Sequence, residues 1–223
     1  MGEERKALQV NGAMRLYNVC QVLMCGYMAV GLGRQLVQTV PLLYVAGVPV
    51  PNIFAINMPL SADVEYYVFV HFLSKMLDWF DTVFIILRRK DEQLSFLHVY
   101  HHATIGPVWG LLLWLGFGSG TALFGALINS VIHVLMYTHY LVTSFRINNP
   151  FKKYLTMAQI GQFYLAITHS VVVFALPVER HYIRGLAVLQ LAYNISMVVL
   201  FSSFFIKIYR PPRPTTAHHA KPE

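Results

Sequence analysis

The sequence predicts an all-α membrane protein, a polytopic transmembrane helical bundle of about six spans. Three observations predict it. Of 223 residues, 56% are hydrophobic and only 12% charged, whereas soluble domains carry about 25% charged residues. Six apolar stretches follow one another, each near the ~20 residues that a spanning helix needs. Lysine and arginine also fall overwhelmingly on one side of those stretches, as the positive-inside rule requires.

The stretches run Leu16–Leu32, Val64–Leu87, Phe96–Leu115, Ala122–Val142, Leu155–Leu176 and Leu186–Ile208. Met1 to Met14 is polar and lacks a signal peptide's apolar core and cleavage site, so the first stretch is expected to be retained. Between Arg34 and Ala62 stand Pro41, Pro49, Pro51 and Pro59, which predict a long irregular connection with partly buried apolar turns. Pro107 inside the third span predicts a kinked or short helix. With the N-terminus in the cytosol, 13 of the 17 Lys and Arg residues are cytosolic, among them Arg88, Arg89, Lys90, Arg146, Lys152 and Lys153. Both ends then face the cytosol. The expected organisation is a cytosolic segment 1–15, a transmembrane domain 16–208 and a disordered, proline-rich cytosolic tail 209–223. The formal charge of +7 therefore reads as membrane anchoring, with no nucleic-acid partner.

Ionisable groups inside a bilayer cost at least ~2.5 kcal/mol each on insertion scales, so they turn inward and mark function. The second span carries Lys75, Asp78, Asp81 and Thr82; Lys75 and Asp78, three apart, share a helix face. A self-neutralising structural pair and a functional pair weigh equally there. Asp81, near the cytosolic end, is placed to orient a histidine. In the third span His98, His101 and His102 stand at i, i+3 and i+4 on one face, a spacing suited to a metal or to a nucleophile with an adjacent base. The fourth span offers an inward stripe of Asn129, His133, Met136, Tyr137 and Tyr140, with His139 off the stripe. The fifth adds Thr156, Gln159, Gln162 and His169 on one face. Cys20 and Cys25 lie in the first span, away from these clusters, and read as packing residues.

These residues resemble the fatty acid elongases of the endoplasmic reticulum, the very-long-chain 3-ketoacyl-CoA synthases. Gln93 through His102 resembles the family's histidine box, and Lys75 through Thr82 its Lys-x-x-Glu-x-x-Asp-Thr motif. Asn129 through Tyr140 and Thr156 through Gln162 resemble two further motifs, in the family's order. Asp78 stands where the family usually has Glu, and His139 where it has Tyr. The family has seven spans, and Met14–Leu32 resembles its second, which implies that the first is missing here. Tyr100 within the box resembles the polyunsaturated-chain branch.

The resemblance implies an acyltransferase that condenses an acyl-CoA with malonyl-CoA, releasing CO2 and CoA and yielding a 3-ketoacyl-CoA. It implies an acyl tunnel, no cofactor and no metal. His101, central in its box, is expected to be the acyl-accepting nucleophile, with direct condensation in a ternary complex and His101 acting only as a base as the alternative; His98 and His102 would tune it and His133 would assist decarboxylation. Lys75, Asp78, Asp81, Asn129, Tyr137, Gln159 and Gln162 would support the site, and Arg88, Arg89, Lys152 and Lys153 would meet CoA. The implied partners are the bilayer and the ketoreductase, dehydratase and enoyl reductase of the elongation cycle, and a homo-oligomer is left open. Two rivals remain. A di-iron desaturase or hydroxylase needs about eight histidine ligands from several boxes, where this chain has one box. A proton-coupled transporter would use Lys75, Asp78 and the histidines as a relay, but internal repeats are absent.

Overall fold

The computed structural model describes residues 7–39, 42–56, 58–175 and 181–209. Most of the predicted terminal segment 1–15 and helix α1 can be described from residue 7 on; the tail from 210 lies outside the described residues.

The helices are α1 (Asn11–Thr39), α2 (Ala62–Leu77), α3 (Trp79–Leu87), α4 (Phe96–Trp114), α5 (Ala122–Ser144), α6 (Lys152–Ala175) and α7 (His181–Tyr209). By length and composition α1, α5, α6 and Arg184–Tyr209 of α7 can each cross a membrane. The second predicted span is divided at Asp78, which closes α2 and opens α3 at φ −57°, ψ −18°. There the Asp81 amide bonds back to the Asp78 carbonyl, an i−3 contact that tightens the turn. Pro107 sits inside α4 without ending it, so that helix keeps 19 residues. Gly106, beside it, lets α4 approach α2 closely, because a Cβ there would overlap Met76.

Neighbouring helices form a closed ring. α1 packs on α5, α5 on α6, α6 on α7, α7 on α4, α4 on α2, and α2 on α1. Large apolar side chains such as Leu23, Val30, Leu135, Phe174 and Val199 point outward. In water they would form a costly patch; in a bilayer they meet lipid. The chain is thus a helical membrane protein.

The proline-bearing connection is more ordered than its composition predicts. Leu42–Val45 and Val48–Pro51 (β1 and β2) pair antiparallel. Ala46 (φ 49°) and Gly47 (φ 83°) make the two-residue turn, whose positive φ values match the twist of a hairpin. Beyond it the chain turns into the ring. Asn52 brackets Ile56, its amide donating to the Ile56 carbonyl and its carbonyl accepting from the Ile56 amide, both at 2.9 Å. Ala55, Ile56 and Met58 are buried. Phe54 lies against Phe124 and His169. A core of Cys25, Met28 and Leu32 from α1, Val64 and Val68 from α2, and Leu123, Phe124 and Ala126 from α5 fills this hairpin end. The polar residues gather toward the opposite end.

Candidate active site

The α2–α3 break presents Asp78 to three neighbouring helices. Lys75 Nζ stands 3.0 Å from Asp78 Oδ2, with both side chains almost wholly buried. Asp78 Oδ1 accepts from Gln21 Nε2 and from the Tyr137 hydroxyl, each at 2.8 Å. Two carboxylate oxygens thus meet an ammonium, an amide and a phenol, the pairing that a buried anion requires. Lys75 Nζ also lies 3.2 and 3.4 Å from the two ring nitrogens of His133, so it can bond to one of them at a time. Asp81, expected to orient a histidine, instead lies with Oδ2 2.8 Å from the Tyr137 hydroxyl oxygen. One helical turn beyond Asp78, it faces α5 rather than α4, and the histidine partner falls to Thr82. Thr82 Oγ1 lies 2.8 Å from His98 Nε2.

Ser95 opens α4 as its N-cap, accepting from the His98 amide. His98 and His102, one turn apart, stack with centroids 4.2 Å apart. The Trp79 indole donates to the His102 carbonyl at 2.8 Å, and His102 Nδ1 has no hydrogen-bond partner among the described residues. His101 leaves this pair. Its ring turns toward α7, with Nδ1 3.3 Å from the Tyr193 hydroxyl, which also accepts from Thr104. The single predicted face therefore holds His98 and His102 together and aims His101 differently. Among the described residues, no group of three His, Cys, Asp or Glu side chains is placed to hold a metal.

Two cavities run through the ring. The upper one, about 800 Å³, is bordered by Asp78, Asp81, His98, His102, His133 and Tyr137. Gln159 borders it and reaches Met136 Sδ only weakly, at 3.5 Å. Arg88 and Lys152 also border it, while Arg89 and Lys153 do not. The lower one, about 500 Å³, is bordered by Ile105, Trp109, Gly125, Ile128, Ala166 and Val173, and by Met58, Pro59 and Leu60 of the inturned loop. His101, Gln162 and Phe163 border both. Asn129 borders the lower cavity; its Oδ1, like Gln162 Oε1, is buried without a partner among the described residues. His139, expected off the inward stripe, also borders the upper cavity.

The sequence reading missed the contribution of α1. Tyr17, Gln21 and Tyr137 are tied together, with Tyr17 Oη 3.1 Å from Tyr137 Oη and Gln21 Nε2 3.0 Å from Tyr17 Oη. The signal was present, since the buried residues Asn18, Gln21, Cys25, Met28 and Leu32 recur at spacings of three and four. Cys25 therefore lies one turn from the polar cluster rather than away from it. It is nonetheless buried in the apolar core and borders neither cavity. Two further described histidines have other partners. His71 is fully buried with its ring edge-on to Trp109, and His169 stacks on Phe124 with Nδ1 3.2 Å from Gln190.

Comparison with known proteins accounts for this arrangement. Residues 1–217 match the sequence model of the family described as ELO, the GNS1/SUR4 family. Fatty acid elongase 5 of Leishmania major is 46% identical over 205 residues, 91% of this chain and 76% of that protein. Fatty acid elongase 5 of Trypanosoma cruzi is 44% identical over 205 residues, 92% of this chain and 75% of that protein. Very long chain fatty acid elongase 2 of the mouse is 33% identical over 216 residues, 93% of this chain and 69% of that protein. A match to the family's model over nearly the whole chain, and relatives of this extent, have one reading: the chain belongs to the ELO family of membrane proteins.

Proposed function

We propose that this protein is a fatty acid elongation enzyme that condenses an acyl-CoA with malonyl-CoA to give a 3-ketoacyl-CoA, CO2 and CoA. The observation that carries the reading is the position of His101 on both cavities. An acyl chain needs an apolar wall to lie along, and Ile105, Trp109, Ile128, Ala166 and Val173 of the lower cavity offer one. CoA is a polyanion, and the upper cavity offers polar walls with Arg88 and Lys152 among them. The thioester carbon, where chain and CoA meet, then falls beside His101.

In this reading His101 attacks the acyl thioester and CoA leaves, giving an acyl-imidazole. Tyr193 holds the other ring nitrogen of His101 and fixes its tautomer. Cys25, the buried thiol, borders neither cavity and is not the acyl acceptor. Malonyl-CoA then enters the upper cavity and loses CO2, and its enolate attacks the acyl carbon. His133, carried against Lys75, is placed to stabilise the enolate oxygen. His98 and His102 shape the wall beside His101, and Gln159 and Gln162 supply amide contacts. Imidazole, amide and ammonium groups suffice for this chemistry, so the reading calls for no cofactor and no metal. The protein would lie in the endoplasmic reticulum membrane with both ends cytosolic. It would hand its product to a ketoreductase, dehydratase and enoyl reductase.

The test is incubation of membranes holding the protein with labelled malonyl-CoA and a panel of acyl-CoAs. Elongated products are expected, undiminished by chelators, with an acyl adduct on His101 by mass spectrometry. Substantial elongation by a folded His101→Ala variant would remove the assignment.

A further inference from the structure

The Tyr137 hydroxyl oxygen lies 2.8 Å from Asp78 Oδ1 and 2.8 Å from Asp81 Oδ2. Oxygens at that separation have a hydrogen between them. Two such contacts need two hydrogens, and a phenol supplies one. A carboxyl must supply the second. Asp78 is occupied as an anion, because Gln21 and Lys75 both donate to it. Asp81 has no cation among its hydrogen-bond or salt-bridge partners. The charge count agrees: Lys75, the cation of this cluster, is already paired with Asp78.

The structure assigns to Asp81 a carboxylic-acid form at rest and, resting on the proposed condensation, the role of proton donor to it. The reaction takes up one proton per turnover. Malonate's carboxylate leaves as neutral CO2, and its electron pair becomes the enolate. When the acyl-imidazole forms, the His101 ring proton leaves with the thiolate as free CoA; the enolate then makes the new carbon–carbon bond as the acyl–nitrogen bond breaks, and the electron pair ends on the deprotonated His101 ring. A proton must arrive there to restore the neutral ring.

Contacts of 2.8, 2.8, 3.0 and 3.2 Å link Asp81 through Tyr137, Asp78 and Lys75 to His133. Lys75 gives a hydrogen to His133; Asp81 passes its hydrogen to Tyr137 as Tyr137 passes its own to Asp78 Oδ1, and the Asp78 carboxyl, now briefly neutral, turns to return one hydrogen to Lys75. Net, one proton leaves Asp81 and reaches His133, and the groups between return to their starting states. Water in the upper cavity, which both rings border, carries it from His133 to His101, and Asp81, on the same cavity, refills from that water. The other titratable groups around these residues are Tyr17 and Cys25 on α1, His71 on α2, Arg88 and Glu92 beyond α3, His98 and His102 on α4, His139 and Tyr140 on α5, and Lys152 on α6. None of them interrupts the relay.

The experiment uses the purified full chain in lipid nanodiscs. Infrared spectroscopy at neutral pH should show the carbonyl band of a protonated carboxyl, and Asp81→Asn should remove it. Asp81→Asn keeps the size of the side chain and a hydrogen for Tyr137, so a purely structural acid would leave turnover at the wild-type level. The donor role predicts instead a loss of at least tenfold at neutral pH that shrinks as the pH is lowered, with Asp81→Glu restoring most of the rate. Absence of the band, or wild-type turnover by a folded Asp81→Asn, overturns the proposal. A wild-type protein that shows the band but forms no ketoacyl product overturns the proposed function, and the donor role falls with it.

Discussion

Asp78 accepts from Lys75, Gln21 and Tyr137, which come from three different helices. Removing its charge while keeping its shape therefore has a calculable effect. Asp78→Asn leaves the Lys75 ammonium buried without an anion, which costs about 3–5 kcal/mol when a buried pair is broken. The expected result is a sharp fall in folded yield after detergent extraction, read by size-exclusion chromatography, and loss of elongation in what remains. Asp78→Glu keeps the charge and lengthens the arm by one methylene, as in the resembling family motif. It is expected to hold at least half the wild-type yield. Equal yields of wild type and Asp78→Asn would show that the pair contributes nothing to folding.

At the scale of elements, α1 is where sequence and structure part company most usefully. Its apolar composition announced a span, and the helix is there, Asn11–Thr39. Its part in the site was harder to see, because single amides in a span are commonly interhelical glue worth about 0.6–2 kcal/mol. Only the three-and-four spacing of Asn18 and Gln21 with Cys25 and Met28 sets them on the inward face. The histidine spacing was legible in the same way, but periodicity cannot say which neighbouring helix a ring meets. Tyr193, on a helix 92 residues away in sequence, is what turns His101 from His98 and His102. The inturned loop was the least legible, since its order comes from the Asn52 bracket and from Phe54 packing on Phe124, contacts that no local pattern encodes. Two outcomes follow. Gln21→Leu withdraws one donor from buried Asp78, costing about 1–3 kcal/mol, and should lower the thermal midpoint in nanodiscs. Leu23→Ala, on the outward face of the same helix, should leave it unchanged; equal effects of the two would place Gln21 outside the network.

For the molecule as a whole, the proposed reading divides two tasks between two cavities, which meet at His101, Gln162 and Phe163. Substitutions in one should then alter one property and spare the other. Gly125 borders the lower cavity, and a Cβ built there would sit 3.6 Å from the Trp109 ring, an ordinary contact. A methyl group therefore fits, while Gly125→Leu extends into the space an acyl chain would fill. Its expected effect is a shift of the preferred acyl-CoA toward shorter chains, with the KM for malonyl-CoA within about twofold of wild type, a change worth roughly 0.4 kcal/mol. Arg88 borders the upper cavity and lies far from that channel along α3. Arg88→Ala should raise the KM for both CoA substrates several-fold and leave the order of chain-length preference as it was. The two variants are compared over one acyl-CoA panel in the same membranes. If Arg88→Ala reordered the preference, or Gly125→Leu raised the malonyl-CoA KM as much as Arg88→Ala does, the cavities would not divide chain from CoA, and the placement of the thioester beside His101 would lose its geometric basis.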